Sequence, residues 1–313
     1  MLEWELKPTL LWASTGIILL LTIGTIIIAY FTRRYPHKNF SELRARLRSW
    51  WWMASIFILA MLIGKIISLF LFGFLSFLAL KEYFSLIPTR RADRRVLLWA
   101  YLAIPVQYYW IGIAWYGIFI VFIPVYMFLL LPIRMILIGE TSGFLKAAGT
   151  LHWGLMTTVF CLSHAAYLLS LPEEVNPAAG GAGLLLFLVF LTEFNDVLQY
   201  MWGKLLGRHK IIPKVSPNKT WEGFVGGLVT TTCIAILLAP WLTPLNLWQA
   251  GFAGLLIATA GFFGDVSISA LKRDLGIKDS GHLLPGHGGI LDRVDSLTYT
   301  APLFFHFIYY LHY

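Results

Sequence analysis

The chain has 313 residues, of which 58% are hydrophobic and only 13% charged. An ordinary soluble protein is about 45–50% apolar and about 25% charged, so this chain lacks the polar surface of a water-soluble globule. A soluble enzyme, a disordered chain and a secreted disulfide scaffold are excluded. Repeated long apolar runs leave a polytopic helical membrane protein. The net charge of +8, from 24 Lys+Arg against 16 Asp+Glu, then reads as excess basic charge in cytoplasmic loops rather than as a nucleic-acid surface.

The first apolar run is Thr9 to Phe31. Glu3 and Glu5 precede it where a signal peptide would carry basic residues, and no small-residue cleavage site ends it. It predicts a first span with its N-terminus outside. Arg33, Arg34, Lys38, Arg44, Arg46 and Arg48 follow as a cytoplasmic loop over 32–49. Trp50 to Ile87 holds 38 residues, enough for two helices of about 19 residues at 1.5 Å each, with a turn near Gly64 and Lys65. Arg90, Arg91, Arg94 and Arg95 form a second basic loop. Val96 to Ile133 makes a second hairpin, in which Pro105 and Pro132 mark a kink or an end. A polar connector runs from Arg134 to Ala147.

Two further spans are expected at about Ala148–Ser170 and Gly181–Trp202, joined by the acidic outer loop LPEEVNP. Gly203 to Thr220 is basic, and Pro213 and Pro217 predict an irregular path. Spans at about Trp221–Trp241 and Trp248–Ala270 follow, then a polar segment from Leu271 to Asp295 and a last span from Ser296. This gives about 9–10 spans in an all-α bundle, with a polar catalytic cavity on the cytoplasmic side. Twenty-one of the 24 Lys+Arg fall in the five loops assigned to the cytoplasm. Residues 1–146 form an N-terminal transmembrane region and 147–313 a C-terminal catalytic one. Cys161 and Cys233 lie in apolar runs without a CxxC spacing, and read as buried small residues.

Eight of the 16 acidic residues lie between Glu193 and Asp295. Glu193, Asp196 and Asp265 sit inside apolar runs, where a carboxylate costs about 2.5–3.5 kcal/mol on insertion scales and is a functional candidate. Glu193 also fits a charge that snorkels to water from a helix end. Asp265, Ser269 and Lys272 share one helix face. From Ser269 to Asp295 the chain reads SALKRDLGIKDSGHLLPGHGGILDRVD. Its parts suit polyphosphate and metal. Gly286, Gly288 and Gly289 around His287 permit close backbone approach to a phosphate, and the start of the last helix offers N–H groups to an anion. Lys272, Arg273, Lys278 and Arg293 neutralise phosphate oxygens. Asp265, Asp279, Asp292 and Asp295 are hard oxygen ligands suited to Mg²⁺.

This stretch resembles the signature of the CDP-diacylglycerol synthases (phosphatidate cytidylyltransferases). It fills all seventeen constrained positions of the pattern: Ser269, Leu271, Lys272, Arg273, Lys278, Asp279, Gly281, Leu284, Pro285, His287, Gly288, Gly289, Ile290, Asp292, Arg293, Val294 and Asp295. Lys214 to Gly227 and Gly264-Asp265 resemble two further blocks, so the likeness covers about the last 125 residues. The N-terminal part matches in hydropathy and in Lys81-Glu82-Tyr83. One departure stands out. Where the family carries small residues between an Asp and a Tyr, this chain has Val197-Leu198-Gln199 between Asp196 and Tyr200, as in a divergent bacterial paralogue with altered substrate fit.

The resemblance implies the reaction of CTP with phosphatidic acid to give CDP-diacylglycerol and diphosphate in phospholipid biosynthesis. It also implies Mg²⁺, with K⁺ as a second ion. Catalytic candidates are Asp265, Asp292, Lys272 and Asp279, and metal candidates are Asp265, Asp279, Asp292 and Asp295. Lys219, Ser269, Arg273, Lys278, His287, Gly288, Gly289 and Arg293 are the nucleotide-binding candidates. Asp196 is a second choice. The expected setting is the bacterial inner membrane, multi-pass, with the site facing the cytoplasm. CTP, phosphatidic acid and the bilayer are the partners, nucleic acid is not, and a homodimer is an admitted assembly. Rival readings are a CTP-dependent enzyme on another lipid phosphate or alcohol, a weakly active paralogue, and an ion-relaying transporter. The CDP-alcohol phosphotransferase pattern is absent.

Overall fold

The structure, a computed structural model, describes residues 7–37, 39–90, 93–281 and 288–313. Glu3, Glu5, Lys38, Arg91, Leu284, Pro285, Gly286 and His287, named above, lie outside the described residues. In hydrocarbon every backbone donor and acceptor must be satisfied within the protein, which makes helices the default for each apolar run. The helices are α1 (Pro8–Arg34), α2 (Ser41–Ile63), α3 (Lys65–Leu86), α4 (Arg94–Gly112), α5 (Tyr116–Val121), α6 (Phe128–Ile136), α7 (Phe144–Leu155), α8 (Leu162–Tyr167), α9 (Gly180–Leu206), α10 (Trp221–Leu242), α11 (Leu247–Asp274), α12 (Leu291–Val294) and α13 (Leu297–His312). A π-helical segment, Phe122–Met127, joins α5 to α6, and a second, Met156–Cys161, joins α7 to α8.

Among the described residues seven helices are long and apolar enough to cross a membrane: α1, α2, α3, the continuous Tyr116–Ile136, α9, α10 and α11. The other three segments expected to span are helical too. They are α4, the broken helix through α7 and α8, and α13. The architecture is therefore the all-α polytopic bundle that the composition predicts. The junction expected near Gly64 is where α2 gives way to α3, and Gly64 turns there at φ 144°, a conformation that favours glycine. Pro105 and Pro132 lie inside α4 and α6.

Three local expectations are corrected. The basic stretch 32–49 is mostly helix, because Arg is a good helix former and Arg46 pairs with Glu42 one turn earlier at 2.6 Å. Residues 203–220 are not wholly irregular. They carry an antiparallel hairpin, β1 (Lys210–Ile212) and β2 (Ser216–Thr220), with Ile212 opposite Ser216 and Lys210 opposite Thr220. A two-stranded hairpin is all edge, so Pro217 fits in β2. Cys233 is exposed on α10, not buried, since an apolar run in a membrane bundle does not distinguish the lipid face from the core.

Polar side chains on the lipid side are satisfied within their own helix. Thr15, Thr22, Thr25 and Thr32 of α1 each donate a hydroxyl to the carbonyl four residues earlier. The core is centred on α9, whose most apolar stretch is 67% buried against 11% for α1. Helix α9 packs on α10 and α11, and α11 packs on α13. Across the bundle α3 packs on α7, α8 and the short α12. The C-terminal signature thus folds between α11 and α3.

Candidate active site

Helix α11 carries Asp265, Ser269 and Lys272 at intervals of four and three, and the predicted shared face is real. Ser269 Oγ donates to Asp265 Oδ1 at 3.1 Å. Lys219 Nζ pairs with Asp265 Oδ2 at 2.7 Å and lies 4.8 Å from the centre of the Phe262 ring. Lys219 is delivered by β2. Thr220 caps α10 by accepting from the Gly223 N–H at 3.1 Å. The Glu222 carboxylate accepts from the Arg208 N–H at 3.0 Å and from His209 Nδ1 at 2.6 Å, pinning the approach to β1. Arg273 donates to the carbonyls of Val215 and Ile277, both at 3.1 Å, and ties the hairpin turn to the end of α11.

Lys272 reaches the other way. Its ammonium donates to Asp292 Oδ1 at 2.6 Å, with both side chains largely buried. Asp292 Oδ2 accepts from the N–H groups of Ser280 at 2.9 Å and Gly289 at 3.1 Å. Burial pushes the Asp292 carboxyl up, but Lys272 and the two N–H donors outweigh it and hold the group below the usual carboxylate range. Asp292 therefore binds together the two ends of the segment that carries His287.

A second carboxylate grips the same segment. Glu82, in the last turn of α3, accepts from the N–H groups of Ile290 at 2.9 Å and Leu291 at 3.0 Å, and from Ser280 Oγ. The glycines of this region serve these internal carboxylates. A Cβ on Gly289 would lie 2.0 Å from Glu82 Oε1, and one on Gly288, which sits at φ 78°, would lie 2.5 Å from Asp292 Oδ2. The anion expected at the N–H groups before the last helix is thus, in this structure, the protein's own.

The third group gathers around Ser296. Ser296 Oγ donates to Asp196 Oδ2 at 2.8 Å, and the Ser296 N–H donates to Asp295 Oδ1 at 2.7 Å. Asp196, Asp265 and Asp295 lie within electrostatic reach of one another, with Lys219 and Arg293 beside them. Arg293 also faces Glu193, and its Nε is buried without a hydrogen-bond partner among the described residues. Lys278 and Asp279 are exposed and make no ion pair among the described residues. Of the metal candidates, Asp265 and Asp295 share one neighbourhood, Asp292 is committed to Lys272 and the loop, and Asp279 stands apart. Among the described residues no three His, Cys, Asp or Glu side chains are grouped closely enough to hold a metal ion as they stand.

Gln199, one of the departures, packs in the seam between α9 and α10. A Cβ on Gly227 would lie 2.4 Å from Gln199 Cγ. Leu198 is buried and Val197 is exposed. Sequence reasoning missed the roles of Glu82, Ser280 and Ser296. Only for Glu82 was there a signal, an acidic residue in the last turn of an apolar helix, where the helix dipole disfavours it.

The comparisons extend the likeness beyond the last 125 residues. A family model described as the cytidylyltransferase family matches residues 44–311. The chain is 48% identical over 291 residues to the uncharacterized protein YnbB of Escherichia coli (strain K12), covering 93% of this chain and 95% of that one. It is 37% identical over 150 residues to the phosphatidate cytidylyltransferases of Staphylococcus haemolyticus and Staphylococcus saprophyticus. Each match covers 47% of this chain and 58% of the relative. With the family model spanning most of its length and its helices built to cross a bilayer, the chain belongs to the cytidylyltransferase family as a multi-pass membrane protein.

Proposed function

We propose that the protein transfers the cytidylyl group of CTP to phosphatidic acid, giving CDP-diacylglycerol and diphosphate. The observation that carries this reading is the complete signature from Ser269 to Asp295, whose first residue, Ser269, hydrogen-bonds Asp265, the ion-pair partner of Lys219 from the second sequence block. The lipid phosphate is already an anionic nucleophile, so no Ser or Cys nucleophile is required. One of its oxygens forms a bond to the α-phosphorus of CTP. The bond from that phosphorus to the bridging oxygen breaks, and diphosphate leaves with the electron pair. The work left to the protein is to bring two polyanions together. Lys219, Lys272, Lys278, Arg273 and Arg293 are the cations for that task, and Arg293 has a buried nitrogen without a partner among the described residues.

The neighbouring carboxylates Asp196, Asp265 and Asp295 repel one another, and their hard oxygens suit Mg²⁺. Asp265 and Asp295, which share one neighbourhood, would hold it together with phosphate oxygens of the substrates. When bound, the ion screens charge between the phosphates. Residues 147–313 would supply the chemistry and residues 1–146 the scaffold. The basic loops would face the cytoplasm from the inner membrane, and a polar cavity would open on that side. This orientation rests on 21 of 24 Lys+Arg falling on one side.

The test is diphosphate release from CTP by the purified protein, with and without phosphatidic acid. Release that needs the lipid is expected. No release at saturating Mg²⁺ would overturn the assignment. Labelling a single cysteine at position 175 should succeed only from outside. A second reading is a CTP-dependent enzyme on another lipid phosphate, and turnover across a lipid panel separates the two.

A further inference from the structure

We infer that Glu82 is a positioning residue that fixes the two described flanks of the signature loop, Ser280 on one side and Ile290 and Leu291 on the other, from the opposite half of the chain. Five observations converge on it. Its carboxylate takes donors from both ends of the loop, Ser280 on one side and Ile290 and Leu291 on the other. Two of these donors are backbone N–H groups next to Gly288-Gly289, so Glu82 fixes main chain and not only side chains. A Cβ at Gly281 or Gly289 would lie 3.0 Å or 2.0 Å from its oxygens, so a side chain at Gly289 would push the carboxylate off its donors. The residue sits in the last turn of α3, where the helix dipole opposes a negative charge, and the loop donors offset that cost. Finally, the rotation of α3 is locked by its neighbour. Tyr83 is 1% exposed, donates to the Thr150 carbonyl at 2.9 Å, and lies so close to Gly154 that a Cβ there would sit 2.2 Å from its ring.

Glu82 and Asp292 form a two-point grip with separate duties. Asp292 is within the signature and answers to Lys272 of α11. Glu82 lies 208 residues away from Ile290 in sequence and ties the loop to the α3–α7 side of the bundle. Removing the Glu82 carboxylate leaves two N–H groups and a hydroxyl without their acceptor and frees one side of the loop. The Lys219–Asp265 pair and the Asp292 ion pair keep their own partners.

The inference rests on the cytidylyltransferase reading only for its kinetic arm. The first measurement is amide hydrogen exchange of the full chain in lipid nanodiscs, comparing the parent with Glu82→Gln and Glu82→Asp. Glu82→Gln keeps size but aims an amide at three donors. Exchange at Ile290 and Leu291 should rise by about ten- to hundredfold, the range that follows from losing a hydrogen bond to a charged group. Exchange along α9 and α10 should not change. Unchanged protection at these two amides would overturn the inference whatever the protein's activity. The second measurement is a cycle with Gly289→Ala. That substitution should displace the Glu82 carboxylate in the parent and raise exchange at Ile290 and Leu291, and should add little to Glu82→Ala. Equal effects of Gly289→Ala in both backgrounds, read as exchange and thermal midpoint, would also overturn it. In the kinetic arm, Glu82→Gln should raise KM for CTP more than it lowers kcat, with partial rescue in Glu82→Asp. A proportional fall in active protein with KM unchanged would mark Glu82 as merely structural. A parent without CTP turnover would overturn the assigned reaction and leave the exchange test intact.

Discussion

Replacing Asp292 by Asn tests the ion pair with Lys272 most directly. The substitution keeps shape and one acceptor oxygen but removes the charge. The Lys272 ammonium, now 2.6 Å from a carboxylate oxygen and largely buried, is left without its counter-ion. Breaking one partner out of a buried pair costs about 3–5 kcal/mol. The lower end applies here, about 3 kcal/mol, because the asparagine oxygen still accepts from Ser280 or Gly289. At about 2–4 °C per kcal/mol the thermal midpoint should fall by about 6–12 °C. Lys272→Met should cost less, about 1.5–3 kcal/mol, since the two N–H donors still serve the carboxylate. The double substitution removes both charges, and replacing a whole buried pair by neutral groups is often close to neutral. It should therefore be more stable than the sum of the singles by about 2 kcal/mol. Thermal unfolding of all four proteins in one detergent measures this. Additivity within about 0.5 kcal/mol would refute the direct coupling.

Asp265→Asn should remove most turnover while leaving the protein folded, because it releases Lys219 and takes a charge from the buried carboxylate group. Near-normal CTP turnover at saturating Mg²⁺ would count against a role for Asp265. Gly154→Ala forces a Cβ to within 2.2 Å of the Tyr83 ring and should cost about 1–3 kcal/mol by overpacking. A thermal midpoint equal to the parent's would show that the ring moves freely. The pH response of the loop follows from Asp292. Its folded pKa is depressed, so the stability it contributes is present above the unfolded value, about 3.9, and is lost as pH falls through the folded value. Protease resistance around residues 276–281 should hold from pH 8 to pH 5 and weaken only below about 4. Loss centred above pH 5 would refute this assignment.

The spans were legible because lipid imposes one demand on every residue that crosses it, and the break at Gly64 because only glycine turns there at φ 144°. The α11 face was legible because helical spacing alone places Ser269 beside Asp265. What stayed hidden depends on partners remote in sequence. Nothing local to Glu82 says that its acceptors will meet Ile290 and Leu291. Nothing local to Gly288-Gly289 says whether the nearby anion is a ligand phosphate or an internal carboxylate. The hairpin β1–β2 was obscured by Pro213 and Pro217, which argue for loop until one sees that each strand has a free edge. Gln199 read as a change of substrate fit, yet it packs against Gly227 between two helices.

The reach from α3 to the loop also sets an order of assembly. Glu82 leaves the ribosome 208 residues before Ile290, an interval of about 10–40 s at 5–20 residues per second. During that interval its carboxylate stands at the unfavourable end of α3 without the donors that later surround it. The segment that closes on it is among the last to be made, so the nascent chain passes through insertion of its early helices before it can present a closed site. A chain halted before residue 288 would lack both N–H donors that Glu82 awaits and also Asp292, the counter-ion of Lys272.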